Sequence, residues 1–181
     1  NMGVPTIYRT TAFPNRGPVD LDSLDFQGFT EAEIADWKAA YMWFLRRLFF
    51  REQRPLVLKS PPHLGRVRTL IDLFPTARFV HIVRDPTAVF PSAMRLWKSL
   101  FETQSVQVPN HEGLEEFVYN VFSRLYDTFE RDRSLIPPAQ YTEVHYEKLA
   151  ENPVDSMQQI YDDLGIADFS EALPGVHAYL D

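Results

Sequence analysis

The chain has 181 residues, of which 45% are hydrophobic, 14% aromatic and 24% charged, enough for one domain with a sizeable core and unlike a disordered or fibrous chain. Eighteen Lys+Arg against 25 Asp+Glu give a net charge of -7, which speaks against a broad nucleic-acid or anionic-membrane footprint and leaves room only for a local basic pocket. There is no Cys, which excludes a disulfide framework, a thiolate zinc site and a Cys nucleophile, and fits a reducing compartment.

Residues 1–29 show no period and hold Gly3, Pro5, Pro14, Gly17, Pro18 and Gly28, so they read as an irregular segment packing over the domain. Thr30 and Glu33 form a capping box, and Ile34, Trp37, Tyr41, Phe44, Leu45, Leu48 and Phe49 follow at helical spacing to about Glu52. Leu56-Val57-Leu58 reads as a strand ending in Lys59-Ser60-Pro61-Pro62-His63, with Ser60 as N-cap of a helix to about Phe74. The same grammar repeats at Arg78–Val83, a strand followed by Arg84, Asp85 as N-cap and Pro86 opening a helix to about Leu100. A linker from Glu102 to Asn110 leads to an amphipathic helix over Glu112–Arg133, with Leu114, Phe117, Val118, Val121, Phe122, Leu125 and Phe129 on one face. Tyr141–Tyr146 reads as a third strand, and Asn152-Pro153 opens a helix stopped by Gly165, with a tail over 167–181.

Alternating strands and helices predict a parallel sheet covered on both faces, with an α/β core over 30–166. In such sheets ligands bind at the carboxyl ends of the strands, beside helix N-termini that favour anions. That selects Lys59 to His63, Arg84 to Pro86, and Tyr146-Glu147, and the two cations make an anionic ligand the natural expectation; the alternative is that they neutralise nearby carboxylates. No run approaches the roughly 18 apolar residues of a membrane span, and the N-terminal residues lack a signal-peptide layout. A cytoplasmic protein without a membrane span is expected, with no nucleic-acid partner.

The stretches LVLKSPPHLGRVRTLIDLFPTARFVHIVRDPTAVFPSAMRLW and EVHYEKLAENPVDSMQQIYDDLGI resemble the sulfotransferase family that uses 3′-phosphoadenosine-5′-phosphosulfate, above all its bacterial LKSPxH and FVHIVRDP members. The resemblance covers about residues 37–166. It implies a three-layer α/β fold with a parallel sheet of the P-loop, nucleotide-kinase-like type. It also implies that the donor is a co-substrate and that a small-molecule, lipid or carbohydrate acceptor is sulfated on a hydroxyl or amine; no metal is expected, because neither an HExxH nor an EF-hand pattern occurs and Lys, Arg and helix N-termini can carry the electrostatic work.

By the same resemblance Arg84 and Ser92, eight residues apart, hold the 3′-phosphate, which a guanidinium fork and a hydroxyl two turns into a helix are suited to do. Without the motif, Arg84 could pair with Asp85 or a Glu, and Ser92 could be a small packed residue. Lys59 would stabilise the leaving phosphate and His63 would take the acceptor's proton. Cytosolic family members place these two residues two apart and here they are four apart, so His63 could instead cap or face solvent. Tyr146 would contact the adenine side, or serve as a packed aromatic; Glu147 is expected to cap or pair, and His81 to pack in the sheet.

The family's phosphosulfate-binding loop has no counterpart here, and neither GxxxxGK[ST] nor GxGxxG occurs. The expectation is a fragment, incomplete at the N-terminus and inactive alone, of a parent sulfotransferase. Two other readings stay open: a catalytically inert 3′-phosphonucleotide-binding module, and a nucleotide-dependent phosphotransferase, which would need a Walker Lys and a magnesium carboxylate that cannot be placed.

Overall fold

A computed structural model describes residues 8–51 and 53–180. Gly3, Pro5, the expected helix end at Glu52 and the last tail residue, Asp181, lie outside the described residues. The N-terminal segment is a strap of single turns: helix α1 (Tyr8–Ala12) and 3₁₀ turns at Pro14–Arg16 and Leu21–Leu24. It buries Leu24 and Phe26, and Leu21 packs against the main core.

Helix α2 (Glu31–Arg51) begins where its capping box predicts. The Glu33 carboxylate accepts from the Thr30 N–H and hydroxyl, both at 2.8 Å, and the Glu33 N–H donates back to Thr30 Oγ1 at 3.3 Å. Of the apolar face expected for this helix, Trp37 and Leu45 are buried while Phe44, Leu48 and Phe49 remain exposed.

Leu56–Leu58 is not a strand, which corrects the first of the three expected strands. The segment is extended, with Val57 96% exposed, and no described residue pairs with it in a ladder. Without a neighbouring strand an apolar run of three has nothing to take its backbone hydrogen bonds. Beyond it, Pro61–Arg66 forms a 3₁₀ turn that leads into helix α3 (Val67–Leu73). Ser60 occupies the N-cap place, but its hydroxyl makes no cap bond.

The second and third expected strands do form: β1 (Phe79–Val83) and, downstream, β2 (Tyr141–His145) pair in parallel, with His81 opposite Glu143 and Val83 opposite His145. Between them run helix α4 (Pro86–Gln104) and helix α5 (Leu114–Asp132). Asp85 starts α4 by accepting from the Thr87 N–H at 2.8 Å, with Pro86 at the first position. After β2 come α6 (Tyr146–Glu151), α7 (Pro153–Leu164) and, where a tail was expected, α8 (Phe169–Leu180). Gly165 ends α7 at φ 53°, the left-handed conformation that glycine adopts without a Cβ penalty.

The sheet has two described strands and helices against both faces. Val144 packs on Ile160 and Leu164 of α7, while Phe79 and Tyr141 pack on a cluster of Val67, Phe129 and Ile136. A third cluster, Phe101, Leu114, Phe117 and Val118, joins α4 to α5. Val80 and Ile82 of β1 remain exposed, although parallel strands are ordinarily covered on both sides.

Candidate functional site

The carboxyl ends of β1 and β2 lie side by side, so the residues that leave them share one cavity of about 660 Å³. Arg84, Ala88, Tyr146 and Glu147 line it. The Arg84 guanidinium lies over the Tyr146 ring, 4.4 Å from its centroid, the stacking that a planar cation favours. Its Nε is buried and has no hydrogen-bond partner among the described residues.

The carboxylates nearest in sequence are committed elsewhere. Asp85 Oδ1 accepts from both the N–H and the hydroxyl of Thr87, which holds its carboxyl below the ordinary value. Glu147 accepts from the Asp85 N–H at 3.3 Å. Arg84 therefore faces the cavity without an ion-pair partner among the described residues, beside an N-terminus that adds partial positive charge. Ser92 lies one helical turn beyond Ala88 on the same stripe of α4, half-buried, and its hydroxyl makes no hydrogen bond among the described residues.

Lys59 and His63 do not line this cavity. Lys59 is exposed on the extended segment. His63 is turned inward: its Nε2 lies 3.2 Å from the Tyr41 hydroxyl and its Nδ1 is buried without a partner among the described residues. Burial, helped by the Arg66 charge, pushes His63 down to about 4, so the ring is neutral near pH 7. Arg66 lies over the rings of Trp37 and Phe26, at 5.0 and 5.1 Å, and donates from Nε to the Ser23 carbonyl at 3.0 Å. Tyr41 and Arg66 did not emerge as candidates from the sequence. A tyrosine on an apolar helical stripe was the available signal, because a half-buried phenol needs a partner.

His81 packs in the sheet, its ring 4.5 Å from that of Phe129 and its Nδ1 3.2 Å from Glu143 Oε2. A second cavity, of about 640 Å³, is lined by Phe90, Met94 and Lys98, on a stripe of α4 turned away from Ser92, with His111 and Tyr119. It contains none of Arg84, Lys59 and His63. Among the described residues no group of His, Asp and Glu could hold a metal ion, and no helix is long and apolar enough to cross a membrane.

Comparison with known proteins gives a consistent result. Two relatives, each called omega-hydroxy-beta-dihydromenaquinone-9 sulfotransferase Stf3, from Mycobacterium bovis and Mycobacterium tuberculosis, are 36% identical over 179 residues. The match covers 99% of this chain and 46% of each relative, so the chain spans about half the length of the curated relatives it matches. No solved structure matches the chain. The sequence pattern of the sulfotransferase family fits residues 14–171, which take in Lys59, His63, Arg84, Ser92 and Tyr146 alike, and the chain belongs to that family.

Proposed function

We propose that the protein carrying this chain is a sulfotransferase that moves a sulfuryl group from 3′-phosphoadenosine-5′-phosphosulfate to an acceptor hydroxyl or amine. The two strands would belong to a three-layer parallel sheet of the P-loop, nucleotide-kinase-like type, working in the cytoplasm. The relatives' names, with a hydroxylated dihydromenaquinone, favour a hydroxyl on an apolar lipid among possible acceptors.

The observation that carries the reading is Arg84: a guanidinium with a buried, unpartnered Nε, stacked on Tyr146, facing a cavity at a helix N-terminus. A buried donor left unsatisfied costs about 1–3 kcal/mol, a cost that an anionic ligand removes. A nucleotide 3′-phosphate fits it, because the fork can grip two oxygens and the free Ser92 hydroxyl can supply a further donor. Tyr146 offers the ring beside which a purine would lie. The donor, when bound, supplies the sulfuryl group and a phosphate leaving group. Lys59, exposed at the end of its segment, would offset charge that gathers on the leaving oxygen. His63 serves the acceptor side of the same loop, neutral at physiological pH. These 181 residues hold no phosphosulfate-binding loop of the family pattern, so we assign to them the 3′-phosphate half of the donor site.

Calorimetric titration with adenosine 3′,5′-bisphosphate tests this. Arg84→Ala should weaken binding by about 2–5 kcal/mol, the range for truncating one partner of a buried charged pair, and unchanged affinity would overturn the assignment. A second reading, an inert 3′-phosphonucleotide-binding module, is favoured by the separation of Lys59 and His63 from the Arg84 cavity. Sulfuryl transfer by the full-length protein, lost in Lys59→Ala while the bisphosphate still binds, would exclude it.

A further inference from the structure

The chain as a whole is acidic, yet residues 43–59 hold five Lys and Arg against a single Glu, interleaved with Trp43, Phe49, Phe50 and Val57. From Arg46 to Lys59 every described residue is exposed. Phe50 is 85% exposed, Phe49 52% and Trp43 48%. Large rings left in water forfeit the free energy of burial, and a cluster of them marks a contact surface.

Helical spacing sorts this cluster. Trp43, Arg46, Arg47 and Phe50 stand at i, i+3, i+4 and i+7 of α2, one stripe on the side away from the buried Trp37 and Leu45. The Arg47 guanidinium lies over the Trp43 ring, 3.4 Å from its centroid. Arg46, Arg47 and Arg51 make no ion pair among the described residues.

Charge separates the occupants that could cover such a face. A second copy would bring the same unpaired cations and be repelled. A folded partner would need carboxylates placed to match each guanidinium. A bilayer with anionic headgroups supplies phosphate oxygens everywhere on its surface. Its interface takes up aromatic rings and lets Arg stems lie along them with their heads at the phosphates. The same surface repels the acidic remainder of the chain, which leaves this stripe as the side that approaches.

We propose that the C-terminal half of α2, with the extended segment after it, docks on an anionic phospholipid surface. Trp43 and Phe50 enter the boundary between headgroups and acyl chains, while Arg46, Arg47 and Arg51 meet phosphates. The contact is peripheral and goes beyond the sulfotransferase reading. It needs neither donor nor acceptor, so it stands or falls separately from the Arg84 assignment.

Flotation of the full-length protein with vesicles of mixed phosphatidylglycerol and phosphatidylcholine tests the proposal. Binding to the mixed vesicles is expected, weakening as salt is raised, with little binding to phosphatidylcholine alone. Each cation near an anionic surface is worth about fivefold in affinity, so Arg46→Gln, Arg47→Gln and Arg51→Gln together should weaken binding by about 10²-fold at an unchanged melting temperature. With lipids brominated along their acyl chains, part of the tryptophan emission should be quenched on binding, and that part should be missing in Trp43→Phe. A full-length protein that stays off the mixed vesicles would overturn the proposal and show that protein covers this face. Equal binding to phosphatidylcholine alone, binding unchanged by the three glutamines, or quenching that survives Trp43→Phe would each overturn it as well.

Discussion

Arg124 and Arg84 show how differently one protein can place two guanidinium groups. Arg124, on α5, donates from Nε to Asp25 Oδ2 at 2.7 Å and from Nη2 to Asp25 Oδ1 and Asp22 Oδ1 at 2.6 and 2.8 Å. Burial pushes the Asp25 carboxyl up, and the bonds from Arg124, the Gln27 N–H and Thr128 outweigh it and leave it below its ordinary value. Every strong group there has a partner inside the fold, so the strap is fastened to α5. Arg84 has a ring beneath it, an unpartnered Nε and a cavity in front. A satisfied buried charge reports on folding; an unsatisfied one at a strand end reports on a ligand.

The contrast breaks most visibly at Arg124. Arg124→Ala leaves the Asp25 side chain, which has no solvent exposure, as an uncompensated buried charge, and should cost about 3–5 kcal/mol of stability. Urea denaturation checks it, and a loss under about 1 kcal/mol would mean that the strap is held by packing alone. Arg84→Ala should do the reverse: it removes an unsatisfied buried donor together with its stacking on Tyr146, so stability should fall by no more than about 1 kcal/mol, if at all, alongside the loss of bisphosphate affinity given above.

Gly65 sharpens the same comparison from the packing side. A Cβ there would lie 2.7 Å from the Leu24 carbonyl oxygen and 2.9 Å from Leu125 Cδ2, so strap, turn and α5 meet over a hydrogen atom. Gly65→Ala should destabilise by about 2 kcal/mol, the usual size of core overpacking. An unchanged melting temperature would show that the strap can lift away.

His63 adds a smaller, pH-dependent term. Its folded value of about 4 lies below the ordinary 6.5, so between these values the unfolded chain binds more protons than the folded one. Stability then rises with pH across that window and is lost as pH falls from about 6.5 towards 4. The loss should be about 2 kcal/mol after discounting the ring's partial exposure. Thermal melts at pH 7 and pH 4.5 should differ less in His63→Gln than in the parent; equal differences would assign the acid sensitivity to other groups.

The elements that could be read in advance are those whose signals are local. Thr30 with Glu33, Asp85 with Pro86, and Gly165 mark helix ends through bonds made within a few residues, and β1 and β2 carry β-branched runs that need only each other. Leu56–Leu58 shows the limit, because a strand is defined by its neighbour and an apolar run carries no information about whether one is present. Of the site, the strand-end positions of Arg84 and Tyr146 were legible, since β-to-α turns announce themselves locally, whereas Lys59 follows an extended segment that forms no strand. The stacking of Arg84 on Tyr146 was not, because 62 residues separate positions that only parallel pairing of β1 with β2 brings together.

By itself, then, the sequence determined where most of the helices start, that Arg84 stands at a strand end and which two runs had strand character, because each depends on near neighbours. Tertiary structure alone decided which cations are satisfied and which are not. Asp25 reaches Arg124 across 99 positions, while Tyr41 meets His63 across 22. A side chain's burial and partner are properties of the packed whole, so the inward turn of His63 and the free fork of Arg84 exist only once the chain has folded.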